Sequence, residues 1–95
     1  MKVIVTGQAE AEIRAIGAHI GRDDALAAER WVIATTELCL SLRDNVERAP
    51  VVGHRRGVAI RRLVHGSYLV IYSVRGDTVR IHRVTQRRTK PERFA

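Results

Sequence analysis

The sequence predicts an α+β fold in the order β-α-α-β-β-β, with both helices packed on one face of an antiparallel sheet. Three observations predict it. Isoleucines recur at helical spacing near the N-terminus, apolar runs separated by glycine turns fill the second half, and only two or three residues join the two predicted helices. Layers of this kind form an α+β domain. The length of 95 residues corresponds to a single domain, residues 1–95.

The N-terminal half predicts one strand and a helical hairpin. Val3–Val5 is a β-branched run, and Thr6 can cap the helix that Gly21 ends. Asp23 can cap a second helix, which should extend from about Asp24 to Val46. The apolar stripe of the second helix contains Trp31, Thr35, Leu38, Leu42 and Val46. Because the connection is short, the two helices should be antiparallel neighbours.

The C-terminal half predicts a loop and a three-stranded meander. After Pro50, the stretch from Val51 to Gly57 has the glycines of a loop. Strands should follow at about Val58–Val64, Ser67–Val74 and Thr78–Val84, with turns at His65-Gly66 and Arg75-Gly76-Asp77. The last residues, about 85–95, are polar and basic and predict a flexible tail.

The predicted strand from Tyr68 to Val74 is apolar on both faces. Side chains alternate along a strand, so Val70 and Tyr72 share one face while Leu69 and Ile71 share the other. If both helices form one layer, the second face has no cover from its own chain, and such apolar patches usually mark a binding surface. The alternatives are that the helices straddle the sheet or that the tail covers it.

Charge is distributed unevenly along the chain. Residues 1–53 have a net charge of −2, whereas residues 54–95 have a net charge of +9. This asymmetry indicates an acidic or polyanionic partner, although a basic surface can also serve solubility alone. The partner expected for the apolar face is an amphipathic segment with acidic residues, because arginines lie among the apolar positions: Arg61, Arg62, Arg80 and Arg83.

The sequence contains no catalytic or metal-binding pattern. The four histidines lack metal-ligand spacing, and Cys39 is a single cysteine in an apolar helical stretch. His82 could serve as a general acid or base on a sheet face, but a packed or solvent-facing role is favoured. We expect no cofactor and no metal. Neither a membrane span nor a signal peptide is apparent, so we expect a cytoplasmic protein.

Four segments together resemble the RelE/ParE superfamily of bacterial toxins from type II toxin–antitoxin pairs. They are an opening strand with an Ala-rich helix, a Pro-x-x-Gly loop, an Arg strand followed by Gly-x-Tyr, and an Arg-Val pair followed by twin arginines. In this chain they read MKVIVTGQAEAEIRAIGAHI, APVVGHRRG, IRRLVHGSYLVIYSV and VRIHRVTQRR. The resemblance implies a growth-inhibiting toxin that forms a hetero-oligomer with a cognate antitoxin, whose acidic C-terminal segment wraps around it.

The resemblance is closer to the ParE branch than to the mRNA-cleaving RelE branch. Nucleases of the family commonly place a catalytic arginine where this chain has Leu69, and Ile60 is also aliphatic. The tyrosine expected after the last strand is absent, and Phe94 cannot exchange protons. The ParE branch implies poisoning of DNA gyrase by a protein that is not an enzyme. A ribosome-dependent mRNA endoribonuclease is the alternative, and a plain nucleic-acid-binding module is the third hypothesis.

The resemblance also suggests two groups of contact residues. The antitoxin is expected to contact one side of the sheet through Ile60, Arg62, Leu69 and Ile71. The poisoned target or its DNA is expected to contact Arg83, Arg87, Arg88 and Lys90. Neither group includes a catalytic residue or a metal ligand.

Overall fold

The computed structural model describes residues 1–88 and contains two helices and one five-stranded sheet. The elements are β1 (Lys2–Val5), α1 (Gly7–Gly21), α2 (Ala25–Ser41), β2 (Val51–Arg55), β3 (Val58–His65), β4 (Tyr68–Arg75) and β5 (Thr78–Gln86). The sheet order is β1-β5-β4-β3-β2; β1 runs parallel to β5, and all other pairs are antiparallel. The predicted α+β class is confirmed, with one strand more than expected.

Both helices begin at side-chain caps. The Thr6 hydroxyl oxygen accepts a hydrogen bond from the backbone N–H of Ala9 (3.2 Å), as predicted. The cap of α2 is Asp24, whose carboxylate accepts from the N–H of Ala27 (3.0 Å). The prediction of Asp23 is wrong by one residue, because Asp24 has the extended backbone of a cap (φ −154°).

The second helix ends at Ser41, five residues before the predicted Val46. From Leu42 to Asn45, each backbone N–H donates to the carbonyl three residues earlier, which is the tighter 3₁₀ pattern. Asp44 and Asn45 favour such turns because their short polar side chains compete for backbone hydrogen bonds. Val46 therefore lies outside the helix, where its carbonyl accepts a hydrogen bond from the hydroxyl of Tyr72 (2.8 Å).

The expected loop from Val51 to Gly57 is wrong, because its first five residues form the edge strand β2. This strand pairs with β3 and contains an irregularity between Val51 and Gly53. Its side chains are mostly exposed on both faces, so no apolar alternation marked it as a strand. The next two residues, Arg56 and Gly57, both have positive φ (51° and 78°), as in a type I′ hairpin turn.

A buried threonine connects α2 to the turn between β3 and β4. Thr35 is fully buried, and its hydroxyl donates to the carbonyl of Trp31 (2.7 Å). The same oxygen lies 3.1 Å from Nε2 of His65. Because a hydroxyl has one proton, Nε2 of His65 must be the donor in this second contact. Trp31 also packs on Tyr68, with 5.0 Å between ring centroids.

Two apolar clusters lie on opposite faces of the sheet. The main core joins both helices to one face and includes Ala9, Ile13, Cys39, Leu42, Leu63, Val70, Tyr72, Val79, Ile81 and Val84. The second cluster contains Ile60, Leu69 and Ile71 and includes no helical residue. Both helices therefore pack on one face, as the short connection between them predicted.

Candidate binding face of the sheet

The strand register defines the sheet face that lies opposite the helices, which we call the outer face. Between β3 and β4, Ile60 pairs with Ser73, Arg62 with Ile71, and Val64 with Leu69. Directly paired residues of antiparallel strands point to the same side. The four predicted antitoxin contacts, Ile60, Arg62, Leu69 and Ile71, therefore share the outer face.

The aliphatic cluster on the outer face is closed to solvent. Ile60, Leu69 and Ile71 are only 2%, 8% and 6% exposed. The expectation of a bare apolar surface is therefore wrong for these side chains, which pack against one another across adjacent strands. Val64, on the same face, is 49% exposed, and Arg62 is half-buried. Val64 and Arg62 are therefore the more accessible side chains at this end of the outer face.

The other end of the outer face holds a cavity of about 400 Å³, which we call the arginine cup. The turns between β2 and β3 and between β4 and β5 lie at this end, because the strands alternate in direction. The cup is lined by four arginines, together with Ser73 and His82; the arginines are Arg55, Arg56, Arg75 and Arg80. Ile60 lines the cup as well, so the cup and the aliphatic cluster are continuous.

His82 reaches the cup because the register of β5 shifts at this point. Tyr72 pairs with Ile81, whereas Ile71 pairs with Arg83, so His82 is the extra residue of a bulge. Its Nε2 lies 2.7 Å from Oγ of Ser73. Burial lowers the pKa of His82, and the charges of Arg80 and Arg55 lower it further. The imidazole is therefore neutral at pH 7 and shares a hydrogen bond with the serine hydroxyl.

The four residues predicted to contact the target lie in different surroundings. Arg83 forms a salt bridge with Glu12 of α1, with 2.8 Å between Nη2 and Oε2. Arg87 and Arg88 follow β5 and are exposed. Together with the turn residues Gly66 and Ser67, they line a second cavity, separate from the arginine cup. Lys90 lies outside the described residues. No observation tests these contacts, and they stay predictions.

Sequence reasoning grouped the arginines around one sheet but did not assemble the cup. It read Arg75 as a turn residue and placed Arg56 in a loop. The available signal was that an arginine adjoins each of two glycine turns, at Arg56-Gly57 and Arg75-Gly76. Alternate turns of an antiparallel sheet lie at the same end, so these arginines had to converge once β2 was recognised as a strand.

Comparison with protein families gives a match over nearly the whole chain. The family described as "ParE toxin of type II toxin-antitoxin system, parDE" matches residues 3–91 of this chain. The chain belongs to the ParE toxin family. The resemblance found in the sequence is confirmed, and membership of this family makes the chain a toxin of the type II class.

A solved structure shares the ParE-type fold. A chain from the "Chromosomal ParDE TA system from P. aeruginosa" superposes with a TM-score of 0.74 at 22% sequence identity. The match covers 90% of this chain and 95% of that one. A search of curated proteins found no match.

Two further properties of residues 1–88 bear on function. No helix in this part of the chain is both long and apolar enough to cross a membrane. The same residues contain no cluster of three or more His, Cys, Asp or Glu side chains that could hold a metal ion.

Proposed function

We propose that this protein is a toxin that poisons DNA gyrase without being an enzyme, and that a cognate antitoxin neutralises it. Membership of the ParE family supports the toxin class. The observation that favours a non-enzymatic toxin is the placement of Leu69. This residue packs with Ile60 and Ile71 in the aliphatic cluster, at the position where nucleases of the superfamily commonly carry an arginine. A charged side chain buried there without a partner would be strongly destabilising.

The antitoxin contact proposed here is the aliphatic half of the outer face. An amphipathic segment would place apolar side chains on Val64 and over Ile60, Leu69 and Ile71, and an acidic side chain against Arg62. Guanidinium groups bind carboxylates through two parallel hydrogen bonds, which would fix the orientation of the segment. Such a complex is a hetero-oligomer in which the antitoxin covers a surface of the toxin.

The target contact proposed here is the basic end of β5. Arg87 and Arg88 are exposed just after the strand, and Lys90 follows them in sequence. Arg83 lies near the same end but is oriented by Glu12, so its main role in this proposal is to hold β5 in place. Arg87 is itself fixed, since its backbone N–H donates to the carbonyl of Ser67 (2.8 Å).

Expression of the chain without an antitoxin tests the proposed activity. We expect growth arrest with DNA breaks and a damage response while mRNA stays intact. Purified gyrase should then accumulate cleaved DNA when the toxin is added. Arg87→Gln with Arg88→Gln should reduce both effects, whereas Arg14→Gln with Arg43→Gln, which removes the same charge from the helical side, should not. Growth arrest without any effect on gyrase would reject gyrase as the target.

A separate experiment tests the antitoxin contact. Arg62→Glu should weaken binding to the antitoxin while toxicity is retained, because the target contact lies elsewhere. The matched control is Arg30→Glu on the exposed side of α2, which makes the same change of charge. Equal binding by the two variants would show that the antitoxin does not use the outer face at Arg62.

One observation favours the endoribonuclease as a second candidate. His82 has a neutral imidazole among four arginines, which is an arrangement that can accept a proton from a ribose hydroxyl and stabilise a phosphorane. If this candidate is correct, expression should cause rapid mRNA cleavage with intact DNA. His82→Gln should then abolish the cleavage while the protein remains folded.

A further inference from the structure

We infer that the arginine cup binds the phosphodiester backbone of a nucleic acid. The site lies at the opposite end of the outer face from Val64 and Leu69, and it does not include Arg83, Arg87 or Arg88. The inference does not depend on which target the toxin poisons, so it can hold or fail independently of the proposed function.

The positive charge of the cup arginines is not compensated by carboxylates among residues 1–88. The salt bridges among residues 1–88 are Glu10–Arg14 and Glu12–Arg83, and neither involves an arginine of the cup. Four arginines therefore line one cavity without a carboxylate partner in the described part of the chain. Like charges gathered around one cavity repel one another and make the folded state less stable. Burial is the main cause of the lowered pKa of His82, and the charges of Arg80 and Arg55 lower that pKa further. A bound polyanion would remove the repulsion.

The backbone conformation of Arg56 also supports a binding role for the cup. This residue has a φ of 51°, in the left-handed region that is unfavourable for a residue with a long side chain. The first position of a type I′ turn strongly favours Asn, Asp or Gly, so arginine is a poor choice for the turn itself. Unfavourable conformations of this kind concentrate at functional sites, where the side chain serves another purpose. Here the side chain of Arg56 lines the cup.

The spread of the arginines across the sheet matches an extended ligand. Arg55 is on β2 and Arg80 is on β5, and these strands are three strand spacings apart, or about 14 Å. Along the axis of a DNA duplex, the phosphates of one strand follow one another about every 3.4 Å, so a span of this size along the axis corresponds to about four phosphates. A single carboxylate from a peptide would reach only part of it. A run of backbone phosphates matches both the number and the spread of the charges.

The lining of the cup also indicates contact with backbone instead of bases. None of the described residues that line it is Phe, Tyr or Trp, and the one aromatic ring, the imidazole of His82, is hydrogen-bonded to Ser73. The cup therefore lacks the row of aromatic side chains on which successive bases stack. The polar side chains of the cup are guanidinium, hydroxyl and imidazole groups, which are typical phosphate contacts. Binding should therefore show little sequence preference and a strong dependence on salt.

The test measures the affinity of the purified toxin for a short fluorescent DNA duplex by anisotropy at several salt concentrations. Arg55→Gln with Arg80→Gln should weaken binding about tenfold and lower the slope of log affinity against log salt by about two, one unit for each phosphate contact. The matched control is Arg30→Gln with Arg43→Gln on the helical side, which makes the same change of charge and should leave affinity and slope unchanged. Equal losses in the two double variants would overturn the inference, because they would show that net charge alone governs binding.

The Arg56→Asn variant separates binding from folding. Asparagine suits the type I′ turn, so thermal stability should increase while affinity for the duplex decreases. Unchanged affinity in this more stable protein would also overturn the inference. A single-stranded RNA probe and inorganic phosphate distinguish the sources of the phosphate group. Binding of either nucleic acid through the cup supports the inference, whereas binding of inorganic phosphate alone contradicts it.

An acidic peptide is the competing ligand for the cup. If the cup variants bind the duplex normally but lose the antitoxin, the site is a peptide site and the inference is wrong. Gyrase poisoning measured with the same variants keeps the two proposals apart. A toxin that poisons gyrase without binding the duplex would reject the cup and retain the proposed function.

Discussion

The carboxylate of Glu12 on α1 holds the guanidinium of Arg83 on β5 and the backbone of the next residue at the same time. Oε2 of Glu12 accepts hydrogen bonds from Nε (3.0 Å) and Nη2 (2.8 Å) of Arg83, and Oε1 accepts from the N–H of Val84 (3.1 Å). β1 pairs with β5 only as far as Ile81. Beyond that residue, Glu12 takes the place of a neighbouring strand, because its carboxylate accepts the hydrogen bond of the Val84 backbone N–H at the edge of β5.

Replacing Glu12 with alanine should therefore lower the free energy of unfolding by about 1–3 kcal/mol, because three N–H groups lose this acceptor in a mostly buried position. Urea denaturation measures the change. The control is Glu10→Ala on the same helix, which removes an exposed salt bridge to Arg14 and should cost at most about 0.5 kcal/mol. Similar losses in both variants would show that the hydrogen bonds from Arg83 and Val84 to Glu12 make no specific contribution to stability.

The hydroxyl of Tyr72 makes a second long-range contact, since it donates to the carbonyl of Val46. Tyr72→Phe should destabilise the fold by about 1–2 kcal/mol, because a buried carbonyl loses its donor. Burial also raises the pKa of Tyr72 above its ordinary value of 10.0. Above pH 10 the unfolded chain therefore releases the phenol proton more readily than the folded chain, and stability should fall as pH rises. In a pH series of denaturation curves, the fall should be shallower for Tyr72→Phe than for the wild type.

Gly17 of α1 lies close against Val32 of α2. A Cβ atom at this position would lie 2.9 Å from Cγ2 of Val32 on α2. Gly17→Ala should therefore destabilise the fold by about 1–3 kcal/mol through overpacking, although alanine is the better helix former. Gly7→Ala is the control, because a Cβ there meets nothing within 4 Å. A melting temperature that rises for both variants would mean that Val32 moves aside without penalty.

His82 should make the fold sensitive to acid. Its pKa in the folded state is lowered by burial and then by Arg80 and Arg55, whereas the unfolded chain has the ordinary value of 6.5. The unfolded state therefore binds more protons as pH falls below about 6.5, and stability decreases through that window until the folded pKa is passed. His82→Gln should lose less stability than the wild type between pH 7 and pH 5 in thermal melts. Parallel curves for the two proteins would contradict the assignment.

Local patterns in the sequence were sufficient for most of the fold. The alternation in β4 placed Val70 and Tyr72 on one face of the sheet, and Leu69 and Ile71 on the other. The turn residues and the Thr6 cap fixed where several elements begin. These features depend on neighbours within a few positions along the chain, so the sequence alone carries them.

Only the tertiary structure decided three features: the edge strand β2, the parallel pairing of β1 with β5, and the arginine cup. β2 pairs through backbone groups, and its exposed side chains leave no periodic pattern to read. Arg56 and Arg80 are far apart in the chain and meet only after three strand pairings have formed. The sequence by itself thus determined the α+β class, the two helices and the meander. Pairing between distant segments decided which charges share a cavity, because hydrogen bonds between backbones do not depend on the identity of the side chains.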